Sequence, residues 1–182
     1  MPVWCAASTH AGEEEIILSA HREIGGLLIL VPRHADRAGA IAALCADAGF
    51  VVAQRSKQDQ ITALTQVYLA DTMGELGLWY RIAPIALIGG SLEVIGGHNP
   101  YEAAQLDTAI LHGPHVANFA QIYAALGVAG AARVITDADG LAKAVASIDP
   151  AAQSKMVQAA HAVLASGSGA TQAALNAIID RV

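Results

Sequence analysis

The chain has 182 residues, a formal net charge of −6 and a pI near 5.5. Lys and Arg together number only 10, which rules against nucleic acid as a partner, because a phosphate backbone demands a basic face. The same shortage denies the chain a direct hold on anionic lipid. Hydrophobic residues make up 54% and aromatics 4%, a balance suited to Val and Ile strands covered by Ala-rich helices. No stretch approaches the roughly 18 uninterrupted apolar residues of a membrane-spanning helix, and the first residues do not read as a signal peptide. The two cysteines, Cys5 and Cys45, form no metal or redox spacing and read as buried thiols.

Short apolar runs alternate with amphipathic stretches. Val3 to Ala7 reads as a strand and Gly12 to Ile24 as a helix. Leu27 to Val31 is a second strand, stopped by Pro32. Asp36 to Ala48 is helical, with Gly49 as its terminator. Strands follow at Phe50 to Ala53 and Gln66 to Ala70, then a helix over Gly74 to Ile82. Ile85 to Ile88 is a fifth strand, and Pro100 to Leu106 a helix. Ala109 to Leu111 is a sixth strand, Asn118 to Leu126 a helix and Arg133 to Ile135 a last strand. Leu141 to Ile148 is helical, and a helical tail begins at about residue 150, broken at Ser166-Gly167-Ser168-Gly169. Continuous apolar strands alternating with helices predict an α/β, Rossmann-like three-layer fold with a mostly parallel sheet, as one domain over residues 1–182. Such a sheet binds its ligand at the carboxyl ends of the strands.

The polar motifs fall at those ends. Gly89-Gly90-Ser91 is followed by Gly96-Gly97-His98-Asn99-Pro100-Tyr101-Glu102. Glycines let a backbone approach a phosphate closely. Asn99 suits a helix cap and Pro100 the first helical position, so the helix start makes an anion site. Glu102, one turn in, can accept hydrogen bonds from ribose hydroxyls. The competing reading is a simple capping pattern. Thr72 and Glu75 pose the same alternative, as do Ser8-Thr9-His10 and Glu13-Glu14 at the first helix. Arg33 follows Pro32 at a strand end and can meet a base or a phosphate, or simply be solvated. His98, His112 and His115 match no zinc template, so no metal is expected. Walker A, G-x-S-x-G and G-x-G-x-x-G motifs are missing, which disfavours ATPase, esterase and nicotinamide chemistry.

The ordered set Ala7 to Glu14, Val31-Pro32-Arg33-His34, Asp71 to Leu76, Gly89-Gly90-Ser91, Gly96 to Glu102 and Gly113-Pro114-His115 resembles the 3-deoxy-D-manno-octulosonic acid (Kdo) transferase family. The likeness covers about residues 5 to 119. It departs at Ala11, Ala35, Tyr101 and Ala103, none of them a proposed ligand. The resemblance implies the donor-binding half of a GT-B glycosyltransferase. It implies that CMP-Kdo is held by Ser8, Thr9, Pro32, Arg33, Met73, Gly74, Glu75, Gly90, Ser91, Gly97, His98, Asn99 and Glu102, with no cofactor and no metal. It places the general base in a facing domain, the acceptor as a lipid A precursor, and the whole enzyme at the cytoplasmic face of the inner membrane. Membrane contact would come only through the rest of the protein, and this domain by itself would be soluble. Two other functions fit the motifs: a GT-B transferase using a UDP-sugar, and a nucleotide-binding module without catalysis.

Overall fold

The computed structural model describes the backbone of residues 2–179 and the side chains of residues 2–166. Strands β1 (Val3–Thr9), β2 (Leu27–Pro32), β3 (Val52–Gln54), β4 (Val67–Leu69), β5 (Ile85–Ile88), β6 (Ala109–His112) and β7 (Ala132–Val134) form one parallel sheet in the order β3-β4-β2-β1-β5-β6-β7. The chain builds outward from β1 to one edge, then returns to the other side of β1 with β5. The switch point therefore lies between β1 and β5.

The alternation of side chains along each strand divides the core into two layers. Trp4, Ala6, Leu28, Leu30, Leu87 and Leu111 face one way and pack with helices α1 (Glu13–Ile24), α2 (Ala38–Asp47) and α6 (Ala138–Ser147). Cys5, Ala7, Ile29, Tyr68, Ile88 and Ile110 face the other way, toward α3 (Leu76–Ile82), α4 (Tyr101–Gln105), α5 (Ala120–Val128) and α7 (Pro150–Ile179). Both layers are apolar because helices cover both faces, so the strands read as unbroken apolar runs. Both cysteines are free and buried, and burial pushes each thiol upward, Cys45 to about 11.

His21 is a buried core residue. The Trp4 indole N–H donates to its Nδ1 at 3.2 Å, so its Nε2–H donates to the Gln66 carbonyl at 2.9 Å. Burial lowers its pKa, which keeps this tautomer neutral. Gly26 has φ +79°, and a Cβ there would lie 2.2 Å from the Pro2 carbonyl oxygen, so only glycine fits the entry to β2.

Several boundaries differ from the sequence expectation. The helices expected at Asp36 and Asn118 each begin with a tight turn (Ala35–Arg37 and Ala117–Phe119) before α2 and α5. The α3 helix starts at Leu76 because Gly74, at φ +82°, cannot be its first residue. Strand β3 lies two residues beyond the expected start at Phe50, whose amide instead closes α2 by donating to the Cys45 carbonyl. The break expected at Ser166 to Gly169 is absent from the α7 backbone. Glycine in a helix interior costs only about 1 kcal/mol, which the Ala-rich flanks outweigh. Among the described residues, no helix is long and apolar enough to cross a membrane.

Leu87 is fully buried on β5, the strand beside the switch point. Leu87→Ala is expected to lower the unfolding free energy by about 2–5 kcal/mol, read from the midpoint of urea denaturation.

Candidate functional site: the carboxyl edge of the sheet

Glu13 joins the two loops that flank the switch point. It is completely buried at the start of α1, and its carboxylate accepts four backbone N–H groups. One is from His10, in the loop after β1, at 2.9 Å. The others come from Gly90, Ser91 and Leu92, in the loop after β5, at 2.7, 3.0 and 2.9 Å. The glycine loop thus forms an anion-binding nest whose anion belongs to the protein. Ser91 is also buried. Its hydroxyl donates to the Ile88 carbonyl and accepts from the Gly113 amide at 2.8 Å, tying in the loop after β6. Thr9 is buried with its hydroxyl donating to Glu14, whose carboxylate is held in a fork by Arg37 at 2.8 and 3.0 Å. The polar atoms of Thr9, Gly90 and Ser91, expected to face a ligand, are engaged in building the loops.

The backbone at this junction is tightly set. Ser8 adopts φ +57° at a bulge in the β1 ladder, a conformation that costs a non-glycine residue about 1–3 kcal/mol. A Cβ at Gly89 would lie 2.6 Å from the Ser8 carbonyl oxygen, so β5 can run this close to β1 only with glycine. The amides of Gly97 and His98 donate to Gly90 and Gly89 carbonyls, so the chain doubles back and carries His98 over the loop.

His98 meets His10 there. Their Nε2 atoms are 2.8 Å apart and their ring planes are within 9° of parallel, with centroids 5.1 Å apart, so the rings meet edge to edge. His34, after β2, sets its ring edge-on to His10 at 5.6 Å. Burial lowers the pKa of both His10 and His98; Glu13 opposes the shift at His10, while the neighbouring His10 deepens it at His98. Arg33 is exposed beside this group, directly after buried Pro32.

A second group lies on the β4 side. Glu75 is gripped by Arg55 through two N–H groups, at 2.7 and 3.1 Å, and accepts the Thr72 hydroxyl. The Arg55 contact, with Thr72 second, holds the Glu75 carboxyl down to about 2. Glu75 is thus an ionised, already partnered group, and Thr72 bonds its side chain rather than the helix amides. Met73 is 70% exposed beside Gly74. On the neighbouring helix, Asn99 accepts the Tyr101 amide at 2.9 Å, so α4 begins at Tyr101, one residue later than expected, and Glu102 lies in its first turn. The Glu102 Oε1 atom is 3.0 Å from where a Cβ at Gly77 would stand. Glycine at 77 lets Glu102 lie against α3, which brings the Met73-Gly74-Glu75 turn and the Asn99 to Glu102 segment side by side.

Comparison with solved structures decides the family. The C-terminal CMP-Kdo binding domain of WaaA from Acinetobacter baumannii superposes with a TM-score of 0.84 at 35% identity, covering 90% of this chain and 89% of that one. This chain belongs to the Kdo transferase family. The 3-deoxy-D-manno-octulosonic acid transferase of Haemophilus influenzae is 40% identical over 183 aligned residues, 96% of this chain and 43% of the relative. The transferase of Bordetella pertussis is 35% identical over 98% of the chain and 44% of its own length. The chain therefore spans less than half the length of these relatives. The C-terminal domain of a group 1 glycosyl transferase from Francisella tularensis, at 14% identity and a TM-score of 0.57, shares the fold alone. No family model matches the chain.

Ser8, Pro32, Arg33, Gly97, His98 and Asn99 gather around the switch point, and Met73, Gly74, Glu75 and Glu102 form the adjoining group. Sequence reasoning missed Arg55 and gave Glu13 only a capping role. Arg55 directly follows β3, so the strand-end rule would find it once the strand is placed at Val52–Gln54. The bridge from Glu13 to Gly90 spans 77 residues and has no local signal. A hollow of about 800 Å³ lies at the opposite, amino-terminal edge, lined by Val3, Ile24, Pro84, Ile85, Val145 and Ile148 among others. Its walls are largely apolar, and Lys143 there is already paired to Asp139.

Glu13→Gln retains the shape but turns an amide NH₂ toward N–H donors. It is expected to cost about 1–3 kcal/mol of stability, and to speed hydrogen exchange at the Gly90, Ser91 and Leu92 amides before any other part of the sheet edge.

Proposed function

We propose that this chain is the donor-holding half of a Kdo transferase and binds CMP-Kdo across the carboxyl edge of its sheet. The match to a solved CMP-Kdo binding domain over nine-tenths of both chains carries this reading. In it, the Met73-Gly74 turn supports the cytosine, Glu102 accepts hydrogen bonds from the ribose hydroxyls, and Arg33 balances the phosphate. The pre-paired Glu75 fixes the turn. The acceptor is a lipid A precursor, presented with the general base by the facing half at the cytoplasmic face of the inner membrane. The transfer inverts the anomeric centre without a metal. The acceptor oxygen forms the new bond to the anomeric carbon, its proton passes to the base, and the bond to CMP breaks with the electron pair leaving on phosphate. The 182 residues act as one donor domain in this scheme.

Titration calorimetry is expected to show CMP binding and little or no binding of UMP or UDP. Equal or tighter binding of UDP would move the chain to a UDP-sugar transferase. Glu102→Gln retains the length that Gly77 accommodates and removes the charge. It should weaken CMP by roughly tenfold or more, since a hydrogen bond to a charged group contributes about 1.5–3 kcal/mol, with the thermal midpoint unchanged.

The chain alone is expected to transfer no Kdo. Among the described carboxylates near the edge, Glu13, Glu14, Asp71 and Glu75 are engaged internally and Glu93 lies against Gly12; in this reading Glu102 serves the ribose and the base belongs to the facing half. Incubation with CMP-Kdo and a lipid A precursor, followed by mass spectrometry, checks this; turnover would place the base within these residues.

A further inference from the structure

The His10 and His98 pair has a geometry that nothing in nucleotide recognition requires. Two imidazoles whose Nε2 atoms are 2.8 Å apart must have one proton between them: one Nε2–H donates and the other Nε2 lone pair accepts. That arrangement is compatible with a neutral pair, or with a pair carrying one extra proton on an outer Nδ1. It is incompatible with two imidazolium rings, which would set two N–H groups against each other. In the closed geometry the pair carries no charge or one.

The pair stands at the switch point, where the loops after β1 and β5 diverge. From α1, Glu13 is saturated by four backbone amides and Glu14 is forked by Arg37. From the loop after β2, His34 and Arg33 face the pair, and both are exposed. From the glycine loop, Glu93 lies against Gly12, its Oε1 2.8 Å from where a Cβ would be. Gly90 lies directly beneath the rings: a Cβ there would be 3.0 Å from His98 Cδ2 and 3.5 Å from His10 Cδ2. Among the described residues, Glu13 and Glu14 are thus engaged and Glu93 is turned toward Gly12, while Arg33 and His34 are exposed beside the pair.

We propose that His10 and His98 form a one-proton dyad that takes up a proton when an anionic oxygen group of the donor ester docks over it, so that donor binding strengthens as the pH falls. This rests on the donor-site reading above. The anionic group is the phosphate or the carboxylate of the sugar acid; both are anionic oxygen acceptors for an imidazolium N–H. Both imidazoles have lowered pKa values in the free protein, chiefly through burial, so the pair is neutral near pH 7 before the anion arrives. The anion favours the charged form and raises the pair's pKa. The affinity then falls as the pH rises from the free-state value to the bound-state value, by at most about tenfold per pH unit for one proton.

The test follows the imidazole Cε1–H resonances of the whole chain by NMR from about pH 5 to about pH 9. Each series is recorded free, with cytidine, with CMP and with free 3-deoxy-D-manno-octulosonic acid. In the free protein the two rings should titrate together and bind one proton between them. A shift of that titration to higher pH with CMP but not cytidine identifies the phosphate; a shift with the sugar acid alone identifies the carboxylate. His10→Gln and His98→Gln should each flatten the pH dependence of CMP affinity relative to the native chain. CMP binding with both rings unmoved, and no response to the sugar acid, overturns the dyad and leaves the donor site standing. Two independent titrations in the free protein also overturn it. Failure of CMP to bind overturns the nucleotide reading; the dyad then survives only if the sugar acid moves both rings, and otherwise falls too.

Discussion

A buried carboxylate at the first residue of α1 holds the carboxyl edge of this domain together. Glu13 lies where the β1 and β5 loops part, and its two oxygens collect amides from both. An unpaired buried carboxylate would be costly, yet here every direction is met by an N–H group, the arrangement in which a buried charge is tolerated. The bridge also sets geometry. With Gly90, Ser91 and Leu92 fixed on Glu13, the chain must turn through Gly96 and Gly97 and return across Gly89 and Gly90. That return places His98 over His10. The Ser91 hydroxyl then extends the same bracing to the loop after β6.

The result is a division between residues that build the edge and residues that face outward from it. Thr9, Glu13, Glu14 and Ser91 are buried and mutually bonded. Arg33, Met73, Asn99 and Glu102 are exposed at the same edge. The motif residues therefore split into those turned inward and those turned outward. The chain carries a net charge of −6, yet the centre of the edge presents Arg33, His34, His10 and His98. The acidic residues closest to it are consumed by backbone amides and by Arg37. Which carboxylates remain available at this edge is set by which are already paired, and not by the net charge of the chain.

Some of this was legible without a structure. Apolar runs such as Leu27 to Val31 and Ile85 to Ile88 are long enough, and polar enough at their ends, to announce buried parallel strands. In a parallel sheet every strand ends on the same edge, so the positions of Arg33, Met73 and His98 followed from strand order in the chain alone. Gly49 and the Asn99-Pro100 pair gave their turns correctly to within a residue, because capping chemistry is local. The boundaries that slipped, at β3 and at the starts of α2 and α5, are those where a short turn precedes the regular element and hydrophobic periodicity cannot separate the two.

The sequence by itself determined the layered parallel fold, the edge at which the polar motifs gather and the family, since periodicity, caps and ordered motifs are all properties of neighbours along the chain. The tertiary structure alone decided which motif residues remain available. Glu13 and Gly90 are 77 residues apart, as His10 and His98 are 88 apart, and nothing in either local segment records the other. Whether a glycine-loop amide awaits a phosphate or already holds a carboxylate, and whether two histidines titrate singly or share a proton, depends on distances of about 3 Å. Those distances exist only once β5 has been laid beside β1.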